Sequence, residues 1–119
     1  MSLKEILNGI VGSVDGAIAA FIMAGDGIPV EQCILESSFE LQSQAVEYTA
    51  VIKEIRRTVD ILKVGELEEV GISTGALSVL IRTVGEDLLA VLILKKNGNS
   101  GMGRYQLRLN SDSMARELA

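Results

Sequence analysis

A helical repeat of apolar residues in the middle of the chain constrains the fold more than any other feature. Ser37 and Glu40 are spaced as a capping box, and Gly65 stands where helices commonly end in a left-handed residue. Between them the pattern predicts a helix from Ser38 to Val64, about 40 Å long and able to cross a small domain. The apolar residues recur at alternating steps of four and three, which keeps them on one helical stripe and suits no strand: Leu41, Ala45, Tyr48, Ile52, Ile55, Val59 and Leu62.

The opposite face of this predicted helix is less polar than a lone surface helix requires. It carries Phe39, Val46, Ala50 and Ile61, while acidic residues are weighted to the N-terminal half and basic residues to the C-terminal half. A solvated face whose charges suit the helix dipole would explain this pattern. An antiparallel contact with the same helix of a second subunit would also explain it, because a two-fold axis brings each acidic half against a basic half. We favour the second interpretation.

Composition and charge limit the classes of function. With 119 residues, 48% of them hydrophobic, the chain is expected to form a single domain over residues 1–119. The net charge of −5 argues against nucleic acid or an anionic membrane as a partner, because phosphate binding needs a basic face. Cys33 is the only cysteine, which fits a reducing compartment, and we expect it to be a small buried hydrophobe. The apolar runs are too short for a membrane span, and the N-terminus, with Lys4 and Glu5 in a helical pattern, lacks the apolar run of a signal peptide. We therefore predict a cytoplasmic protein without membrane insertion.

The rest of the chain alternates between short apolar runs and turn residues. An amphipathic helix follows a Ser2–Glu5 capping box and ends near Gly12, and a closing helix follows a glycine-rich loop at 95–103. Pro29 removes a ladder donor, which places the second strand at a sheet edge. The predicted strands are Ala17–Met23, Ile28–Leu35, Leu67–Thr74, Ala76–Thr83 and Leu88–Leu94. This order, α-β-β-α-β-β-β-α, predicts an α+β fold with one antiparallel sheet between helices, in which the long helix carries the chain from the first hairpin to the far side of the later strands.

No motif in the sequence has the composition of a catalytic, cofactor or metal site. Residues 71–75 match the hydrolase motif G-x-S-x-G, but that motif needs a strand-to-helix turn and a base, whereas the chain has no His and the next segment is a predicted strand. The carboxylates of Glu66, Glu68 and Glu69 fit protection of a strand edge better than a metal site. The glycines of loop 98–103 lack the lysine and the spacing of a phosphate-binding loop. We therefore do not expect an enzyme.

Four segments carry a resemblance to a known family: Val14-Asp15-Gly16-Ala17, the Asp26-Gly27 hairpin followed by Ile28-Pro29-Val30, the strands from Gly75 to Leu94, and Gly101–Leu109 followed by Ser111–Leu118. They resemble the Roadblock family (dynein light chain roadblock type, including the bacterial MglB-like proteins) over nearly the whole chain. The resemblance implies a five-stranded antiparallel sheet, with the long helix on one face and the terminal helices on the other. It also implies dimers formed through that helix and an edge strand, here Leu67 to Thr74.

Members of this family act as scaffolds or regulators of Ras-like GTPases and, in motor complexes, as light chains. The resemblance therefore implies a non-catalytic homodimer that binds a small Ras-like GTPase, with no donated arginine and no cofactor. A structural adaptor in a multiprotein or motor-associated complex, without effect on GTP turnover, is one alternative. A small-molecule sensor is another, although the aliphatic strands offer no polar pocket. The sequence also leaves open whether a different protein of the same fold takes the place of the second copy. The residues predicted for self-association are Phe39, Val46, Ala50, Arg57 and Ile61 on the helix, and Val70 and Ile72 on the edge strand.

Overall fold

The structure, a computed structural model, describes residues 1–36 and 40–118, and within them five strands form one antiparallel sheet. The strands are β1 (Ala17–Ala24), β2 (Pro29–Ile34), β3 (Glu69–Ser73), β4 (Leu77–Val84) and β5 (Leu88–Lys95). The helices are α1 (Leu3–Ser13), α2 (Leu41–Leu62) and α3 (Ser100–Glu117). The predicted α+β fold and its order α-β-β-α-β-β-β-α are confirmed.

The order of strands across the sheet is β2-β1-β5-β4-β3. The most apolar strands, β1 and β5, pair at the centre, where both of their faces are covered. Pro29 begins an edge strand, as predicted, and β3 forms the opposite edge. Helix α2 therefore carries the chain from one edge of the sheet to the other.

The sheet separates two cores. On one face, Ala45 and Ile52 of α2 pack against side chains such as Phe21 and Val91, and we call this the α2-side core. On the other face, α1 and α3 pack against the sheet, and we call this the α1/α3-side core; its members include Ile6, Leu7, Ile10, Leu92, Leu107 and Met114. Successive residues of a strand point to opposite faces, so uninterrupted aliphatic strands serve both cores. The predicted layers are confirmed.

Helix α2 is shorter than the sequence analysis predicts. In the described residues it begins at Leu41. Its N-cap is Glu40, with extended backbone (φ −101°, ψ 99°) and no capping bond from the Glu40 side chain. Ser37 and Ser38, the predicted cap and first residue, lie outside the described residues. At the other end Lys63, and not Gly65, is the left-handed cap (φ 54°), and its N–H donates to Asp60 O and Val59 O. The 22 residues make a helix of about 33 Å.

Helix α3 begins earlier than predicted, inside the segment assigned to a loop. Asn99 is its N-cap, and the Asn99 Oδ1 accepts a hydrogen bond of 3.0 Å from the Met102 N–H. The predicted loop 95–103 is thus wrong in its second half, since Gly101 and Gly103 are helical. Gly103 is buried against the sheet, so this glycine serves close packing and not loop flexibility.

Candidate interaction surface

The face of α2 that points away from the sheet carries an apolar stripe that is exposed in the described part of the chain. Val46 is 59% exposed and Ile61 is 64% exposed, and Ala50 between them is also exposed. The buried residues of the helix, Ala45, Thr49 and Ile52, lie on the sheet-facing side. Exposed apolar residues at helical spacing on one face are typical of a surface that packs against another protein. We call Val46, Ala50, Arg57 and Ile61 the outer stripe of α2.

Charge on the outer stripe is partly neutralised within the helix itself. The guanidinium of Arg57 donates to Glu54 Oε1 from Nη2 at 2.6 Å and from Nε at 3.1 Å. Both side chains are more than half exposed, so this ion pair contributes little to stability. It holds the guanidinium along the helix and leaves the aliphatic stem of Arg57 to cover apolar surface.

The end of α2 adds exposed apolar surface that the sequence analysis missed. Leu62, assigned there to the buried stripe, is 62% exposed, and Val64 is 72% exposed. Leu41 and Leu62 are three heptads apart, and a straight helix drifts by about 20° per heptad relative to a seven-residue repeat. Leu62 is therefore rotated out of the buried stripe. Val64 follows the left-handed cap Lys63 and therefore lies beyond the end of the helix.

Edge strand β3 offers the second part of the surface. The Thr83 N–H donates to Glu68 O, and the Thr74 N–H donates to Leu77 O, at the two ends of the β3–β4 ladder. In an antiparallel ladder every second residue of a strand hydrogen-bonds to the same neighbouring strand. Between Glu68 and Thr74, the backbone groups of Val70 and Ile72 therefore point towards β4. The backbone N–H and C=O groups of the intervening residues, Glu69, Gly71 and Ser73, point away from the sheet. This edge is open to another strand.

The described members of the predicted interface all lie on one side of the molecule. Val70 and Ile72 are half-buried and pack against the α2-side core, while the outer stripe lies on the helix that covers this core. Phe39, the remaining predicted member, lies outside the described residues. The chain thus presents a helix face and an open strand edge on the same side of the sheet.

Tyr48 illustrates how the sheet-facing side of α2 differs from its outer stripe. The side chain is half-buried, and its hydroxyl donates to Gln44 Oε1 one turn earlier. Burial raises the pKa of the Tyr48 hydroxyl above its usual value. The phenol therefore stays neutral at physiological pH.

The other segments considered for chemistry are structural in the fold. Residues 71–75 form the end of β3 and the turn into β4, a strand-to-strand connection and not the strand-to-helix turn of a hydrolase. Cys33 is half-buried in β2 and packs against the α1/α3-side core. In residues 1–36 and 40–118, no three His, Cys, Asp or Glu side chains are grouped so that they could hold a metal ion. None of the helices in this part of the chain is long and apolar enough to cross a bilayer.

Comparison with solved structures identifies the family. MglC from Myxococcus xanthus is 34% identical in sequence, with a TM-score of 0.71, and the match covers 98% of this chain and 99% of that one. A Roadblock/LC7 domain from Streptomyces avermitilis is 14% identical with a TM-score of 0.88, over 99% and 98% of the two chains. The chain belongs to the Roadblock family. Myxococcus xanthus MglB shares the Roadblock fold at 13% identity, with a TM-score of 0.87 over 97% of this chain and 93% of that one.

Scans against family models and against curated proteins gave no match. The Roadblock assignment therefore rests on the 34% identity over the full length of both chains and on the shared fold. It confirms the resemblance drawn from turn residues and apolar patterns.

Proposed function

We propose that this Roadblock chain forms a homodimer, and that the dimer binds a small Ras-like GTPase and biases its nucleotide cycle. The observation that carries the proposal is the combination of an exposed apolar stripe on α2 with an open β3 edge on the same side of the sheet. Burying both in one contact would remove exposed Val46 and Ile61 from water and pair an unprotected strand edge.

The outer stripe is compatible with a two-fold axis that crosses α2 between Lys53 and Glu54. In an antiparallel pair about that axis, Val46 lies against Ile61 of the second copy, and Ala50 lies against Arg57 of the second copy. The small side chain of Ala50 leaves room for the stem of Arg57. At the axis, Lys53 of each copy lies against Glu54 of the other, so opposite charges meet.

Strand β3 is compatible with the same symmetry when Gly71 lies on the axis. Its outward backbone groups at Glu69, Gly71 and Ser73 then bond to Ser73, Gly71 and Glu69 of the second copy. Glu69 is opposite a serine in this register, so like carboxylates are kept apart. Val70 and Ile72 pair with each other across the junction on the α2 side, which extends the α2-side core from one copy into the next.

The dimer would act on a GTPase by population shift. A rigid surface that binds one conformation of the GTPase switch segments better than the other changes the balance between them. Membership of the Roadblock family supports this step, together with likeness to the gliding proteins MglC and MglB. No donated arginine is part of the proposal, and Arg57 of the outer stripe is already bound to Glu54.

A capture experiment with the full chain tests the proposal. The chain is immobilised, lysate of the source organism is supplied with a GTP analogue or with GDP, and retained proteins are identified by mass spectrometry. We expect a Ras-like GTPase that is retained only with the GTP analogue, and no GTPase on a Val46→Glu, Ala50→Glu bait. Absence of a GTPase with either nucleotide contradicts the proposal.

A structural adaptor without effect on GTP turnover is the second candidate. The observation that favours it is a further exposed apolar stripe on α3, on the side of the sheet opposite the outer stripe of α2. An adaptor needs two separate surfaces. Retention of a large assembly regardless of nucleotide, with no GTPase in it, would support this function in place of regulation.

A further inference from the structure

A groove between α3 and β3 concentrates positive charge in a chain that is acidic overall. Its lining includes three arginines, Arg82 from β4 and Arg104 and Arg108 from α3, and its volume is about 390 Å³. Two carboxylates, Glu68 and Glu69, also line it. The sequence as a whole carries 16 acidic and 11 basic residues. Basic residues therefore outnumber acidic ones in the groove, whereas acidic residues outnumber basic ones in the chain.

One carboxylate serves two of these arginines. Glu69 Oε1 is 3.8 Å from Arg82 Nη1, and Glu69 Oε2 is 3.4 Å from Arg104 Nε. A single carboxylate neutralises one charge, so the pair of arginines keeps a net positive charge. The Nε of Arg82 is buried and has no hydrogen-bond partner within the described residues. A buried donor left without an acceptor is costly, which favours an added acceptor at this end of the groove.

The position of Arg104 depends on a glycine in the edge strand. Gly71 lies opposite Leu80 of the α1/α3-side core, so the face of Gly71 on this side carries no side chain. The Arg104 guanidinium occupies that space, since a Cβ on Gly71 would be 2.9 Å from Arg104 Nη2. The guanidinium is thereby held over the strand at the mouth of the groove, and its side chain is half exposed.

An apolar stripe runs along α3 beside the arginines. Met102, Tyr105 and Leu109 are 37%, 46% and 59% exposed, and their spacing of three and four places them on the side of α3 opposite buried Leu107. The guanidinium of Arg108 lies 6.0 Å from the centre of the Tyr105 ring and has no ion pair with any residue in 1–36 or 40–118. Tyrosine and arginine side by side at an exposed apolar stripe are typical of residues that dominate binding energy.

From these observations we propose that the α3–β3 groove docks an acidic amphipathic helix of a partner protein. Apolar side chains of that helix pack on Met102, Tyr105 and Leu109, and carboxylates on its flank bind Arg104, Arg108 and, at the inner end, Arg82. A helix fits because the stripe itself has helical spacing and can pack against a second helix. The three arginines against two carboxylates leave a net charge of +1 in the lining, which suits a few separate carboxylates of a protein better than the dense phosphates of nucleic acid or anionic lipid. The site lies on the face of the sheet opposite the outer stripe of α2 and goes beyond the proposed function. In the proposed dimer, Gly71 on the axis would bring the mouths of the two copies' grooves side by side.

A phage-displayed library of random peptides about four helical turns long provides the probe. The library is selected on the full chain, and enriched peptides are synthesised and titrated by fluorescence anisotropy. We expect enriched sequences to combine Asp or Glu with Leu, Ile or Phe at helical spacing. On the Arg104→Gln, Arg108→Gln variant their dissociation constants rise by roughly tenfold or more, because each lost pair is a charge-assisted hydrogen bond. Higher salt should weaken the same peptides.

Lys4→Gln, Lys95→Gln is the matched control, since it removes two exposed positive charges that belong neither to the groove nor to the proposed dimer contact. Circular dichroism of both variants shows whether the fold is kept. The proposal is overturned if no enriched peptide depends on Arg104 and Arg108, if Lys4→Gln, Lys95→Gln weakens binding equally, or if the enriched sequences are acidic without apolar residues. It is also overturned if these arginines are needed for binding to phosphatidylglycerol vesicles while no arginine-dependent peptide is found.

Discussion

Gly103 of α3 and Leu80 of β4 approach so closely that a Cβ on Gly103 would stand 2.8 Å from Leu80 Cδ1. The same Cβ would be 3.0 Å from Leu92 Cδ2, and both leucines are buried in the α1/α3-side core. The absence of a side chain at residue 103 therefore sets how near α3 lies to the sheet. It also sets the position of the α3–β3 groove, which Gly101, Arg104 and Tyr105 line on either side of Gly103.

Gly103→Ala should destabilise the fold, although alanine is the better helix former. The gain in helix propensity is about 1 kcal/mol, whereas overpacking a closed core costs about 1–3 kcal/mol, so we expect a net loss of about 1 kcal/mol. Gly9→Ala is the control, because Gly9 is exposed in α1 and a Cβ there meets nothing within 4 Å. That variant should be more stable than the wild type by about 0.5–1 kcal/mol. Urea denaturation measures both; a stabilised Gly103→Ala would contradict the close approach.

Acidification should release the capping box of α1. The Ser2 N–H donates to Glu5 Oε1 at 3.1 Å, and the Ser2 Oγ accepts from the Glu5 N–H at 3.2 Å. The backbone hydrogen bond from Ser2, with a smaller effect of its side chain, lowers the pKa of the Glu5 carboxyl below the usual value. A lowered pKa in the folded state means that the stabilisation is present above the unfolded pKa and is lost as pH falls through the folded pKa. The unfolding temperature of the wild type should therefore exceed that of Glu5→Gln near neutral pH, and the difference should shrink below about pH 4. A difference that is independent of pH would show that the charge of Glu5 plays no part.

Disulfide trapping tests the proposed register of β3 at the dimer junction. In a Cys33→Ser background, Val70→Cys in one copy and Ile72→Cys in the other lie directly opposite, with Cα atoms about 4.5 Å apart, which suits a disulfide. Oxidation of a mixture of the two variants should give a covalent dimer between unlike copies. Val70→Cys alone is the control, because residue 70 of one copy lies diagonally across the junction from residue 70 of the other, with Cα atoms about 7–8 Å apart. Equal crosslinking in the control would rule out a register centred on Gly71.

Local signals predicted most of the fold because turns and apolar periodicity dominate this chain. Pro29 identified an edge strand, the aliphatic run at 88–94 identified a central one, and Ser2 with Glu5 marked the start of α1. The errors arise where tertiary packing, and not the local sequence, determines the secondary structure or the exposure of a residue. Gly103 has the appearance of a loop residue in the sequence, and only its contact with Leu80 explains a glycine in that helix. Similarly, Leu62 fits a buried seven-residue repeat, but drift along a straight helix exposes it.

The interface itself stays a prediction. The outer stripe of α2 follows from helical spacing, and Val46, Ala50, Arg57 and Ile61 are exposed in the structure. The α3–β3 groove could not be predicted, because its arginines come from a strand and a helix that are adjacent only in the fold. Its nearest sequence signal is the spacing of Met102, Tyr105 and Leu109, which the assignment of residues 95–103 to a loop obscured.

Sedimentation of the full chain tests the central claim, a homodimer built on α2 and β3, most directly. The wild type should sediment at twice the mass of the chain, and Val46→Glu with Ala50→Glu should sediment as a monomer, because Val46→Glu buries a carboxylate against Ile61 of the second copy and Ala50→Glu fills the space that the stem of Arg57 needs. Leu109→Glu, which also charges an exposed apolar helix residue but on the opposite face, should remain a dimer. A monomeric wild type, or a Val46→Glu, Ala50→Glu variant with unchanged dimer mass, would contradict the account.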